Sequence, residues 1–354
     1  MSTDQLAPTI PEVWAPTTGQ ADASRILTFA RSLGCDDVPG LVAYAEADPT
    51  RYWGEVAAWL DLDWQVEPSA TVTDLDEGPA ARWFPGGAFN LADACVDRWV
   101  RRGRGADVAL RWELEDGSRG AWTYADLAAQ VDALCHGLVG LGVTPGDRVG
   151  LQLPMVREAA VAALACAKLG AVCIPVFSGF GGEAVAQRLA YGEVSVHIVA
   201  SAFPRRGRQV SLSAGLGEAL ASVPTLTGTV VLGPPADAAD SPDSPDRLPG
   251  EVGWDDVIAE HLGRPFEAFT TPSDHPLMIA FTSGSTGRPK GIVLGHVGFA
   301  VKAGSDAAFS FDLGQGDTAA WITDPGWVMS PITLFGGLLN GAAVALYAGT
   351  PDWP

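Results

Sequence analysis

The sequence predicts an α/β fold of mostly parallel sheets covered by helices, and three features predict it. From residue 147 onward, short runs rich in Val, Ile and Leu alternate with helix-length segments, the pattern of βαβ units. A second βα series of the same kind begins near residue 277. The composition, 47% hydrophobic and 18% charged, is that of a chain with a packed core. A length of 354 residues leads us to expect two or three packed units, at roughly 100–200 residues each.

Residues 1–20 are polar and Pro-rich, without the basic start and apolar centre of a secretory leader. A weak helix is expected at 24–33. The segment 51–60 (RYWGEVAAWL) is amphipathic, with Trp53, Val56 and Leu60 on one face. A turn at 85–87 precedes a helix at 90–100. The helix at 123–141 carries its own boundary signals: Thr123 as N-cap, Asp126 three residues on, and Gly142 as C-cap. Then come a strand at 148–153, a helix at 154–169 with Pro154 at its start, a strand at 171–176, a helix at 182–191, and strands at 194–200 and 229–232. The apolar stretch 159–177 contains Lys168, Gly170 and Pro175, so it reads as helix, turn and strand and not as a membrane span. Residues 233–250 (GPPADAADSPDSPDRLPG) form a Pro/Asp-rich loop. The second series runs through a strand at 277–283, a Gly-rich loop, a helix at 297–308, a strand at 319–323, a helix at 331–339 and a strand at 342–347. There is no internal repeat.

A formal charge of −20 argues against nucleic acid as a partner. The five cysteines are scattered, odd in number and form no CxxC pair. That argues against a disulfide framework or a zinc site, and suits the reducing cytoplasm. The chain has three lysines, Lys168, Lys290 and Lys302, so a polyanionic ligand must find its positive charge locally.

The strongest chemical signal is 282–291, TSGSTGRPKG, directly after an apolar strand. It holds four hydroxyls and three glycines in ten residues. Glycine lets backbone N–H groups turn toward an anion, hydroxyls add donors without bulk, and Lys290 adds a full charge. This composition fits a triphosphate, with Thr282, Ser283, Gly284, Ser285, Thr286, Gly287 and Lys290 as candidate contacts and Lys290 as the candidate catalytic residue. It is not a Walker A loop, because Pro289 precedes the lysine and Gly291 follows it. A short Gly/Ser run alone is most often a plain surface turn; a contiguous ten-residue match is not.

This loop resembles the signature phosphate loop of the adenylate-forming superfamily of acyl-CoA synthetases, adenylation domains and luciferases. His296 sits where that superfamily often has a loop-following histidine; read alone, it is an ordinary helix-start histidine. From about Arg51 onward the chain resembles the acetyl-CoA synthetase branch: in RYWGEVAAWL, in WFPGGAFNLADACVDR, in LPMVREAAVAALACAKLGAV with FSGFGGEAVAQRL, in Asp324-Pro325-Gly326-Trp327-Val328, and in 349–354 (GTPDWP). The resemblance implies an N-terminal extension at 1–88 and part of a large AMP-binding domain at 89–354. It implies that Arg205 and Arg208 hold the phosphorylated end of coenzyme A. Two forked guanidiniums on a turn suit a phosphomonoester, although a basic cluster taken alone is as often a solvated turn. It implies that Val328 and Met329 line the acyl channel, where Met329 departs from the usual Thr. It implies that Asp352 stands where the branch has a CoA-contacting Asn.

The implied activity is that of an ATP-dependent acid:CoA ligase, with ATP and Mg²⁺ as cofactors, coenzyme A as co-substrate and a short- to medium-chain carboxylic acid as substrate. No metal ligand is assigned. In the superfamily the adenine and ribose contacts and a catalytic lysine come later than position 354, so residues 1–354 are expected to be a fragment, inactive alone. Two alternatives stand beside this reading: an acid ligase that loads a carrier protein, and a non-catalytic nucleotide-binding module.

Overall fold

The computed structural model describes residues 15–212, 215–233, 248–282, 289–350 and 352. Four helices come first, α1 (Thr18–Ala23), α2 (Arg25–Ser32), α3 (Val38–Ala47) and α4 (Pro49–Trp59). Side-chain caps set three of their starts: the Thr17–Gln20 capping box, Asp37 accepting from Gly40 N, and Asp48 accepting from Arg51 N. These helices are not an appendage. Phe29 stacks on Phe309 at 4.8 Å, and Val56 and Leu60 share the main core. A minimal antiparallel pair follows, β1 (Val72–Thr73) with β2 (Arg82–Trp83). The helical stretch 91–104 contains two π-helical segments.

The predicted alternation then appears, preceded by a hairpin that sequence patterning did not predict: β3 (Val108–Leu114) and β4 (Arg119–Thr123). Next come α5 (Tyr124–Gly140), β5 (Arg148–Gln152), α6 (Arg157–Leu169), β6 (Val172–Pro175), α7 (Gly182–Tyr191) and β7 (Val196–Ala200). The Thr123–Asp126 capping box opens α5 as expected. Pro154 does not open α6. Val156 is its extended N-cap, and residues 154–156 form a turn. A second unpredicted hairpin, β8 (Ala202–Arg205) and β9 (Arg208–Ser211), precedes α8 (Leu216–Leu220) and β10 (Gly228–Leu232). Most of the Pro/Asp-rich loop, 234–247, lies outside the described residues. The chain continues with β11 (Glu251–Gly253), α9 (Trp254–His261), β12 (Pro276–Thr282), β13 (Lys290–Gly295), α10 (His296–Ser305), β14 (Thr318–Ala320), α11 (Met329–Leu339) and β15 (Ala343–Ala348). The strand expected at 319–323 ends at Ala320, where its pairing with β15 stops.

Two main sheets result. The larger has the order β11-β10-β7-β5-β6-β12-β13 and is parallel except for its last pair. The smaller has the order β14-β15-β3-β4, with only β3–β4 antiparallel. The protein is therefore α/β, with mixed, mostly parallel sheets. One buried cluster runs from Phe29 to Leu346, and a second fills the face of the large sheet under α7 and α8. Lys168 is part of this interior. Its Nζ donates to Asp97 at 2.7 Å and to Asp132 at 2.5 Å. Burial alone would lower its pKa, but the two carboxylates more than offset this and hold it charged. Among the described residues no helix is long and apolar enough to cross a membrane.

Candidate active site

Parallel strands deliver their C-terminal ends to one edge, and open α/β sheets bind ligands there. Here the two sheets do so together, around a cavity of about 380 Å³. Pro154 and Met155 follow β5, Phe177 and Ser178 follow β6, and Phe203–Arg205 follow β7. From the small sheet come Ile322–Asp324 and Trp327 after β14, and Ala348–Thr350 at the end of β15.

Asp324 ties the two walls. Its Oδ2 accepts from Ser178 Oγ at 2.5 Å, and its Oδ1 accepts from Gly326 N at 2.8 Å and from Ser178 N at 3.4 Å. Burial pushes its carboxyl above the ordinary range, and the Ser178 and Gly326 bonds partly oppose that. Gly326 allows the contact to be close. A Cβ there would lie 2.4 Å from Phe177 N and 2.5 Å from Phe177 Cα. Trp327 stands exposed beside it, edge-on to Phe177 with ring centroids 6.0 Å apart.

The arginine hairpin forms another side of the cavity. Arg205 lines it, and Arg208 is its cross-strand partner. Arg206 pairs with Asp352. Arg205 and Arg208 make no ion pair with a described residue, so of the hairpin's three arginines the two singled out by resemblance are left uncommitted. Asp352, expected beside coenzyme A, has its carboxylate on Arg206. Val328 and Met329 line neither this cavity nor a small apolar one of about 30 Å³ that shares Met155 with it. Val328 is exposed at the start of α11, next to Trp327, and Met329 is its half-buried first residue. The apolar cavity holds about one water and has no room for an acyl group in this conformation.

The Gly-rich loop joins β12 to β13. Ser283, Gly284, Ser285, Thr286 and Gly287 lie outside the described residues, whereas both ends of the loop are described. Thr282 and Lys290 face each other across the antiparallel pair. β12 runs parallel to β6 with Met278 beside Cys173, so Thr282 lies at the level of Phe177, at the same edge as the cavity. Lys290 is exposed and makes no ion pair with a described residue, whereas Lys168 is buried between two carboxylates and Lys302 is paired with Asp306. His296 is not a cavity residue. It is fully buried at the start of α10, where its Nδ1 accepts from Leu91 N at 3.4 Å. Burial, then the neighbouring His275, lowers its pKa to about 3, so it is neutral. Among the described residues no group of three His, Cys, Asp or Glu side chains is placed to hold a metal.

Sequence reasoning missed the bridging role of Asp324. The Asp-Pro-Gly turn was visible, but its partner Ser178 is 146 residues away.

Comparison with known proteins agrees with this fold. The family model for AMP-binding enzymes matches residues 96–354, and that for the acetyl-coenzyme A synthetase N-terminus matches residues 40–95. An acetyl-coenzyme A synthetase from Streptomyces coelicolor is 38% identical over 312 residues, covering 88% of this chain and 46% of that protein. One from Deinococcus radiodurans is 39% identical over 308 residues, covering 86% and 46%. Among solved structures, acetoacetyl-CoA synthetase from Streptomyces lividans superposes with a TM-score of 0.86 at 29% identity, covering 96% of this chain and 52% of that one. The chain thus spans about half the length of the relatives it matches.

Proposed function

This chain belongs to the AMP-binding enzyme family, and on that premise we propose that it serves an ATP-dependent acid:CoA ligase acting on a short- to medium-chain carboxylic acid. One observation carries the proposal. Uncommitted cations, Lys290 on one side and Arg205 with Arg208 on the other, stand at the same strand-end edge as a cavity built by both sheets.

In this reading the loop 282–290 holds the ATP phosphates, with Thr282 and Lys290 at its ends. The acid's carboxylate oxygen attacks the α-phosphorus, forming the acyl-adenylate and releasing pyrophosphate. The thiol sulfur of coenzyme A then takes the acyl carbon, and AMP leaves. The protein contributes position and neutralising charge to both steps. Arg205 and Arg208 meet the phosphorylated end of coenzyme A; Val328 and Met329, which line neither cavity in this conformation, are assigned to the acyl side by resemblance alone. The Asp352 carboxylate is engaged by Arg206, so its part is to hold the hairpin. The resemblance also implies Mg²⁺; no group of three His, Cys, Asp or Glu side chains among the described residues is placed to hold a metal, and no residue or step is assigned to it. The division into an extension at 1–88 and an AMP-binding region from 89 belongs to the same proposal, as does a cytoplasmic location.

The carrier-protein alternative is separated by the arginines, since a carrier brings its own pantetheine and no 3′-phosphate. The test uses the protein expressed from its complete reading frame, with ATP, coenzyme A and a panel of short to medium acids. Equal amounts of AMP and acyl-CoA thioester are expected. ADP in place of AMP, or AMP release with no thioester, would overturn the assignment.

A further inference from the structure

The turn of the arginine hairpin is itself an anion seat, and a carboxylate of the chain fills it. Both turn residues are left-handed, Arg206 at φ 51° and Gly207 at φ 70°, as a two-residue hairpin turn requires. Successive amides in such a turn converge on one point. Glu115 occupies that point. Its Oε1 accepts from Arg206 N at 2.6 Å and its Oε2 from Gly207 N at 3.0 Å.

Glu115 belongs to the turn between β3 and β4, and Asp352, which holds the Arg206 side chain, lies just past β15. β3 and β15 are neighbours, with Leu114 beside Ala348. Both acids therefore come from one end of the small sheet. The hairpin grows instead from the large sheet, where Leu212 N donates to Ser201 O at 2.9 Å just past β7. It spans the two sheets, with Arg205 in the cavity wall between them.

We infer that Glu115 is a positioning residue for ligand binding: it fixes the hairpin turn so that Arg205 and Arg208 keep their guanidiniums free for a phosphorylated ligand. A carboxylate near a polyanion site would ordinarily weaken binding. Here both of its oxygens are held by backbone amides, so neither guanidinium is spent on it. The ligand part of the inference rests on the reading of the hairpin as the site for the 3′-phosphate of coenzyme A. The anchoring part does not.

The test compares wild type with Glu115→Gln and Glu115→Ala. Coenzyme A and dephospho-CoA are titrated calorimetrically, and tryptic cleavage after Arg205, Arg206 and Arg208 is timed on the folded protein. Wild type should bind coenzyme A more tightly than dephospho-CoA. In Glu115→Ala the coenzyme A affinity should fall on the order of tenfold, the size of a lost charge-assisted pair, with dephospho-CoA affinity and Tm unchanged. Glu115→Gln keeps one acceptor oxygen and should fall between. Tryptic cleavage of the hairpin should accelerate in the same order. Tighter coenzyme A binding by Glu115→Ala would overturn the inference, because the carboxylate would then be a competitor for the seat. An unchanged cleavage rate would overturn the anchoring. If wild type binds both ligands equally, the coenzyme A reading fails, and the cleavage series alone decides whether Glu115 anchors the hairpin.

Discussion

Asp324 carries a testable charge penalty. Its burial raises the folded-state pKa, so between the ordinary carboxylate value and that raised value the folded state binds more protons than the unfolded one. Stability then falls as pH rises through this window, from about pH 4 upward. Asp324→Asn can keep the bonds to both backbone amides and meet Ser178 Oγ through its amide, so it should fold and should lose that slope. Asp324→Ala loses every bond and should cost about 1–3 kcal/mol. Urea unfolding at several pH values checks both, and an unchanged slope in Asp324→Asn would contradict the assignment. Lys168 presents the opposite case. Replacing it with Met leaves Asp97 and Asp132 as facing, partly buried like charges, and the cost at neutral pH should be roughly 3 kcal/mol, the low end for breaking a buried pair. Burial already raises the Asp97 carboxyl and Lys168 opposes that rise, so without the cation it rises further in the folded state and the deficit should shrink as pH is lowered through it. A pH-independent deficit would mean that lost packing, not charge, accounts for the damage.

At the scale of elements, the two walls of the cavity meet at Gly326. A Cβ there would press on Phe177 N, Phe177 Cα and Val176 C, at 2.4, 2.5 and 2.8 Å, all backbone atoms that cannot swing aside. Gly326→Ala should therefore cost about 1–3 kcal/mol and displace Trp327, which intrinsic fluorescence can follow. Gly298→Ala is the control. It lies within α10, its Cβ would meet nothing within 4 Å, and helix propensity should make it stabilising by roughly 0.5–1 kcal/mol. A Gly326→Ala protein as stable as wild type would mean that the two walls are not in fixed contact. The elements readable from sequence were those with a strong period or a cap, such as α5 with its Thr123–Asp126 box. The β3–β4 hairpin was not readable. Its strands are half-exposed and mix Arg111, Trp112 and Glu113 into a pattern unlike a buried strand. The Gly-rich loop announced itself by composition, and the arginine hairpin became visible only through resemblance. The contacts that complete the site, Asp324 to Ser178 and Glu115 to the hairpin turn, join residues 146 and 91 positions apart, and no local pattern encodes them.

For the molecule as a whole, two sheets share one strand-end edge, and three cations that make no ion pair with a described residue, Lys290, Arg205 and Arg208, stand at it or on the hairpin beside it although the net charge is −20. An acidic chain repels polyanions at long range, so on the proposed reading the charge that meets the phosphates of ATP and coenzyme A is supplied at close range by Lys290, Arg205 and Arg208. That is the central claim, and acid-dependent ATP–pyrophosphate exchange tests it most directly. The measurement compares wild type with Lys290→Ala, each expressed from the complete reading frame. Exchange should require an added carboxylic acid and should fall at least about a hundredfold in Lys290→Ala, the scale of a lost electrostatic contact to reacting phosphates, with Tm unchanged. Exchange at the wild-type rate in Lys290→Ala, or exchange in wild type that needs no acid, would contradict it.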